Sequence, residues 1–265
     1  MTRCYDSRYA SAAAVLTILS ASYEAGQNKG AGCVFAGYRG IGCAGGGGYP
    51  WIDRHLPPGY RPFAPLSVED PPTWVTRMKL KRKRIKQDPA ACMAVLTQAQ
   101  AAGRITFRQQ RSSEGDCPLD NPVRVTRIGS VALSASFLAS CPLALSSTMF
   151  VGQAAAPEAQ TLLGKRLVRI DHVGSFVCRN IYHRAEGRRS EHASADALDV
   201  AAFRFSDGSR LTIGGDYRRQ NDGGQYLRTL FSASCAYYGN ALGPDYNAAH
   251  ASHFHLGMRG FGLCR

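Results

Sequence analysis

Six cysteines, Cys92, Cys117, Cys141, Cys178, Cys235 and Cys264, are spread over the C-terminal two-thirds of a 265-residue chain. None stands in a C-x-x-C pair, so a thiolate zinc ribbon does not fit. Wide spacing of this kind suits disulfides formed in an oxidising compartment, which would staple distant parts of one domain together. Spacing alone does not choose among the fifteen connectivities that six cysteines allow. Buried free thiols are the competing reading. Cys33 and Cys43 lie close enough in sequence to pair locally.

The length suits one sizeable domain with extra segments, or two small ones. Apolar residues make up 45% and aromatics 9%, which excludes disorder of the whole chain. The net charge is +13 and the pI about 9.6. Such a balance favours an anionic partner: nucleic acid, a membrane surface or an acidic cell-wall polymer. No apolar run is long enough for a transmembrane span. Residues 1–30 contain SAAAVLTILSASYEA (11–25), which reads as a weak secretory signal or a leader.

Residues 31–73 are rich in Gly and Pro and show no apolar period, so they read as linker. A basic segment follows at 74–86, where seven of the ten residues from Arg77 to Lys86 are Lys or Arg. It reads as a solvated helix face, a nucleic-acid patch or an anchor on an anionic surface. No aromatic residue interleaves with it, which argues against single-stranded nucleic acid. The compact domain is expected over 87–265. A helix starts at Pro89 and stops at Gly103. RITFRQ and NPVRVTRIGSVAL read as strands, CPLALSSTMFVGQAAAPEAQTLLG as a helix interrupted at Pro157, and LVRIDHVGSFVC as a strand entering a site loop. ALDVAAFRFSDGSRLTI reads as a hairpin turning at 206–208, GGQYLRTLFSASCAYYG as an amphipathic helix, and HFHLGM as a last strand. Strands and helices mix without regular βαβ alternation. The expected class is therefore α+β, a small, mostly antiparallel sheet flanked by helices.

Three of the seven histidines fall within six residues: His250, His253 and His255. On a strand His253 and His255 share one face, with Phe254 turned to the core. His192 and Asp199 form an H-x6-D pair, with Asp199 on the predicted hairpin strand and His192 in the loop before it. His192, Asp199 and one histidine of His253-x-His255 make a two-His, one-carboxylate set of the kind that holds Zn²⁺. Each motif alone is common by chance.

Taken together, Ser190, His192, Ala197, Asp199 and His253-x-His255 resemble the D-Ala-D-Ala metallopeptidases, which are grouped with lysostaphin-type enzymes and the zinc fold of hedgehog signalling domains. PFAPLSVEDPPTWVTRMKLKR, CPLALS, IDHVGSFVCRNIY, SEHASADALDVAAF, LGPDYNAAHASHFHLGM and the closing CR further resemble the bacterial extensin-like C-terminal domain family over roughly residues 60–265. The resemblance implies a disulfide-stapled, hedgehog/DD-peptidase-like zinc fold with His192, Asp199 and His255 as ligands. His253 would be the acid/base beside the metal. His250 is similar to an additional histidine of penicillin-insensitive murein endopeptidases, and Arg179 stands where related peptidases carry an arginine near the scissile carbonyl.

Three positions depart from the usual pattern. Ser252 and Gly257 replace acids in the segment that family members usually write DHFHLD, and Ala195 replaces a glycine. In E-x-x-H dipeptidases the position of Ser252 holds the catalytic base. The implied function is a periplasmic or otherwise extracytoplasmic zinc peptidase acting on the peptide cross-links of peptidoglycan, with an anionic cell-wall surface and no nucleic acid as partner. The alternative is a catalytically silent zinc fold that binds wall or protein.

Overall fold

The computed structural model describes residues 53–81, 88–260 and 262–265. The leader (1–30), Cys33 and Cys43, and the charged stretch 82–87 lie outside the described residues. After a helical turn at 53–55 come α1 (Trp74–Lys81) and α2 (Pro89–Ala101). Asp88 caps α2 by accepting from Ala91 N at 2.9 Å, with Pro89 in the first turn where its missing N–H is harmless. Strands β1 (Thr106–Gln109), β2 (Val123–Ile128) and β3 (Val131–Ala139) follow as an antiparallel meander.

Helix α3 (Cys141–Phe150) is buried at all ten positions. A helix apolar on every side belongs in the centre of a core. Ser140 caps it, accepting from Leu143 N at 3.3 Å. Pro157 does not end the helical run. A π-helical turn, Val151–Ala155, precedes it, and α4 (Ala156–Leu163) continues with Pro157 in its first turn. The widened turn absorbs the ring that a regular i−4 ladder would reject. Gly164, at φ 64°, closes α4.

This helical connection makes β3 and β4 (Leu167–Gly174) parallel neighbours, the one parallel pair among the described strands. β5 (Ala197–Phe205) pairs with β4 along one edge. Its other edge is divided: Ala197–Val200 pairs with β8 (Phe254–Gly257), and Ala202–Arg204 pairs with β6 (Arg210–Thr212). Between β6 and β8 come the short α5 (Ile213–Asp216), α6 (Asp222–Tyr237) and β7 (Asn240–Leu242), and β7 pairs with β8. The sheet has eight strands in all, with helices packed on the core side. The class is α+β, with a larger sheet than the sequence suggested.

Inward residues of the strands, Val123, Val125, Phe137, Leu198, Val200, Phe203 and Phe254, meet α3 and α6 in one continuous core. Part of the stretch read as linker belongs to it. Leu66 and Val68 of the linker stretch and Leu80 of the basic segment are buried there, and the Gln153 amide donates to the carbonyls of Val68 (2.6 Å) and Asp70 (3.0 Å). Among the described residues, the packing of Leu66, Val68 and Leu80 puts the start of the domain body before residue 87. A Gly/Pro-rich segment can pack without periodicity when side chains satisfy its carbonyls.

All six domain cysteines pair. Cys92–Cys141 ties α2 to α3, Cys117–Cys178 ties the β1–β2 connection to the loop after β4, and Cys235–Cys264 ties α6 to the C-terminal segment. Their Cα separations of 5.7–6.2 Å lie in the range usual for disulfides. Among the described residues, no helix is long and apolar enough to cross a membrane.

Candidate metal centre

β5 and β8 place two donors by register alone, since Asp199 lies directly opposite His255. Their flanking residues, Leu198, Val200, Phe254 and Leu256, are buried in the core, so alternation turns the carboxylate and the imidazole to the other face. The third donor comes from a short 3-10 turn, Glu191–Ser194, just before β5. Ser190 caps this turn and accepts from His192 N at 3.3 Å. Ala195 ends it at φ 51°, the left-handed conformation that glycine adopts freely. The alanine is accommodated at a steric disadvantage of about 1 kcal/mol.

His192 Nε2 lies 3.2 Å from Asp199 Oδ2, and His255 Nδ1 lies 2.9 Å from Asp199 Oδ1. One donor atom from each of the three residues falls within 4.8 Å of the others, and all are largely buried. Two ligands of a tetrahedral zinc, each about 2.0–2.1 Å from the ion, stand about 3.3 Å apart. The set therefore fits a small divalent cation with N/O preference.

The outer nitrogens of both rings are engaged. His192 Nδ1 is 3.1 Å from the Ser175 carbonyl, which requires it to carry a proton, so Nε2 is the nitrogen turned to Asp199. His255 Nε2 is 3.4 Å from Glu191 Oε2, so its proton faces a carboxylate while Nδ1 faces Asp199. Partners of this kind fix the tautomer and orientation of metal-binding histidines.

Burial pushes the Asp199 carboxyl up, but hydrogen bonds from His192 and His255 overcome it and hold the group well below the usual carboxylate range. Burial pulls His255 down, but its bonds to Asp199 and Glu191 raise it to about 9. Burial and the neighbouring His255 and His253 lower His250 to about 4. Burial also lowers His253, against the opposing pull of Asp199.

His253 and His250 complete the ring. His253 Nε2 is 3.7 Å from Asp199 Oδ2. The His250 ring centre lies 5.4 Å from that of His253 and 5.8 Å from that of His255. Asn247 Oδ1 holds His250 Nδ1 at 2.7 Å, and Asn247 in turn donates to the Tyr182 hydroxyl at 3.3 Å. Arg179 lies beside the turn that carries His192. Its guanidinium donates to the Asn180 carbonyl at 3.4 Å, and its own carbonyl accepts from Ser190 N at 3.0 Å. Of four described non-glycine residues with positive φ, three (Tyr182, His183 and Ala195) lie in the loop leading to this centre, and such strain gathers at functional sites.

Comparison with protein families matches residues 90–265 to the one described as extensin-like protein C-terminus, a span that takes in every residue of the centre. The chain belongs to the extensin-like C-terminal family. No curated protein and no solved structure matches the chain.

In this extensin-like domain the spacing motifs lead to His192, Asp199 and the His253-x-His255 pair but not to Glu191. That carboxylate is buried and fully engaged. It accepts from Asn240 Nδ2 at 2.9 Å and from Arg259 N at 2.7 Å, besides facing His255. Burial pushes it up, yet these bonds, that of His255 foremost, bring it net below its ordinary value. Its space exists because residue 257 is glycine: a Cβ there would stand 2.6 Å from both Glu191 oxygens. The signal available in the sequence was an acid next to a ligand histidine in SEH, which carries no information about position 257.

Proposed function

We propose that this domain holds one Zn²⁺ through His192 Nε2, Asp199 and His255 Nδ1, and hydrolyses a peptide bond in the cross-links of peptidoglycan. The observation that carries the reading is the converging set of three buried donors whose outer nitrogens are already held by Ser175 and Glu191. The substrate class rests on the resemblance to D-Ala-D-Ala and lysostaphin-type metallopeptidases. Zinc in such a site supplies a nucleophile near neutral pH and polarises the scissile carbonyl.

The remaining chemistry falls to the chain's own side chains. His253 stands beside Asp199 and is kept neutral by burial, so it accepts a proton and returns it to the leaving amine. His250, kept neutral as well and oriented by Asn247, backs it. Ser252 supplies no carboxylate base. Three disulfides support an extracytoplasmic setting, and the net charge of +13 favours collection on an anionic wall.

Purified sacculi provide the test: wild-type protein releases uncross-linked muropeptides, and a chelator stops the release. One observation favours a second reading, a silent zinc fold that binds wall or a partner. The carboxylates at this centre, Asp199 and Glu191, are both committed to other partners. Zinc binding without release from sacculi would select that reading.

A further inference from the structure

We infer that the open face of the sheet carries a second, metal-independent site that binds a dianionic phosphate group. Arg169, Arg204 and Arg210 stand directly opposite one another on β4, β5 and β6. Like charges in register across neighbouring strands destabilise a sheet. Here a single carboxylate answers all three. Asp171 accepts from Arg169 Nε at 3.0 Å, from Arg204 Nε at 2.9 Å and from Arg210 Nε at 3.1 Å.

The contacts have a direction. In each arginine it is Nε that turns to Asp171, and the Nη atoms of the three make no hydrogen bond among the described residues. The Asp171 side chain is only 11% exposed, while the three arginines are 43–44% exposed. A sunken carboxylate thus anchors three guanidinium groups whose free N–H donors face solvent. Fixing the stems from below removes much of the ordering entropy that ligand binding would otherwise require.

Charge and shape indicate the ligand class. Three guanidinium charges against one carboxylate leave two positive charges, which a phosphate group of about −1.5 to −2 at neutral pH neutralises. A lone carboxylate ligand leaves the cluster positive. Guanidinium edges match phosphate oxygens in pairs, in a way that an ammonium does not. The site is separate from the metal centre yet shares its strand. Asp199 and Arg204 both oppose core residues of β5, so they lie on the same face, roughly 16 Å apart at the usual rise of a strand.

The experiment titrates the full-length protein with inorganic phosphate, with acetate at matched ionic strength as comparator, following the arginine Nε–H resonances. The expected result is saturable phosphate binding, little response to acetate, and affinity about tenfold or more weaker in Arg204→Gln and in Arg210→Gln. Unchanged amide spectra show that each variant is folded. Arg204→Lys, which keeps the charge but not the planar edge, should also weaken binding. Equal affinity in wild type and both glutamine variants overturns the inference. So does an absence of saturation in wild type, or a loss of binding in His192→Ala instead of the arginine variants.

Discussion

Gly257 and Glu191 share one volume: the carboxylate of Glu191 fills the space that any side chain at 257 would enter. Because that carboxylate is pinned by Asn240 and by the amide of Arg259, it has nowhere near to go. Gly257→Ala should therefore lower stability by about 1–3 kcal/mol, the usual range for overpacking, and loosen zinc by displacing the partner of His255. Glu191→Gln keeps the shape and removes the charge. It should reduce zinc affinity about 10–100-fold, read by competition with a chromophoric chelator. Unchanged affinity in Glu191→Gln would mean that His255 does not depend on this support.

Stability and zinc affinity should respond oppositely to pH above 6.5. In chelator, His255 at about 9 is raised above its unfolded value near 6.5. Its contribution is complete below 6.5 and is lost as pH rises through about 9. His250 at about 4 is lowered, so it subtracts stability as pH falls from 6.5 toward 4. The depressed Asp199 adds a further loss below the ordinary carboxylate value. Chelated protein should be most stable near pH 6.5. Zinc must displace the His255 proton, so affinity should climb about tenfold per pH unit between 6.5 and 9. Urea midpoints in chelator and zinc titrations across that window test the two trends separately.

His253→Ala should retain zinc and lose most muropeptide release, a drop of about 100-fold or more for a missing acid/base. Ser252→Asp should leave release similar or raise it. Release by Ser252→Asp alone, with an inert wild type, would establish the silent-fold reading instead.

The Cys117–Cys178 bridge anchors the loop that carries Ser175, which holds His192, and leads into Ser190 and Glu191. Replacing both cysteines by serine should lower stability by about 2–5 kcal/mol and weaken zinc more than loss of the remote Cys235–Cys264 bridge does. Melting curves with and without zinc make the comparison.

Much of this was legible in the primary structure where a short-range rule applied. The hairpin turn at 206–208, the helix start at Pro89 and the alternation around Asp199 and His255 are local patterns; His192, Asp199 and the His253-x-His255 pair follow from them, and the choice of His255 comes from the family resemblance. The packing of Leu66 and Val68 was not legible, because carbonyls satisfied by Gln153 leave no period to read. Glu191 was hidden for a different reason: its meaning depends on a glycine in another strand. The arginine row was hidden because it needs the registers of three strands, with a register shift opposite Asp171/His172 where Ala201 of β5 is the extra residue.

Glu191 and His192 are neighbours on one 3-10 turn. In the proposed centre that turn therefore brings in one ligand and, at the same moment, the prop behind another ligand carried by β8. If the turn lifts, the ion loses one bond outright and the orientation of another. Exchange of the ion should follow the opening rate of the turn, first order and insensitive to how much competing chelator waits outside.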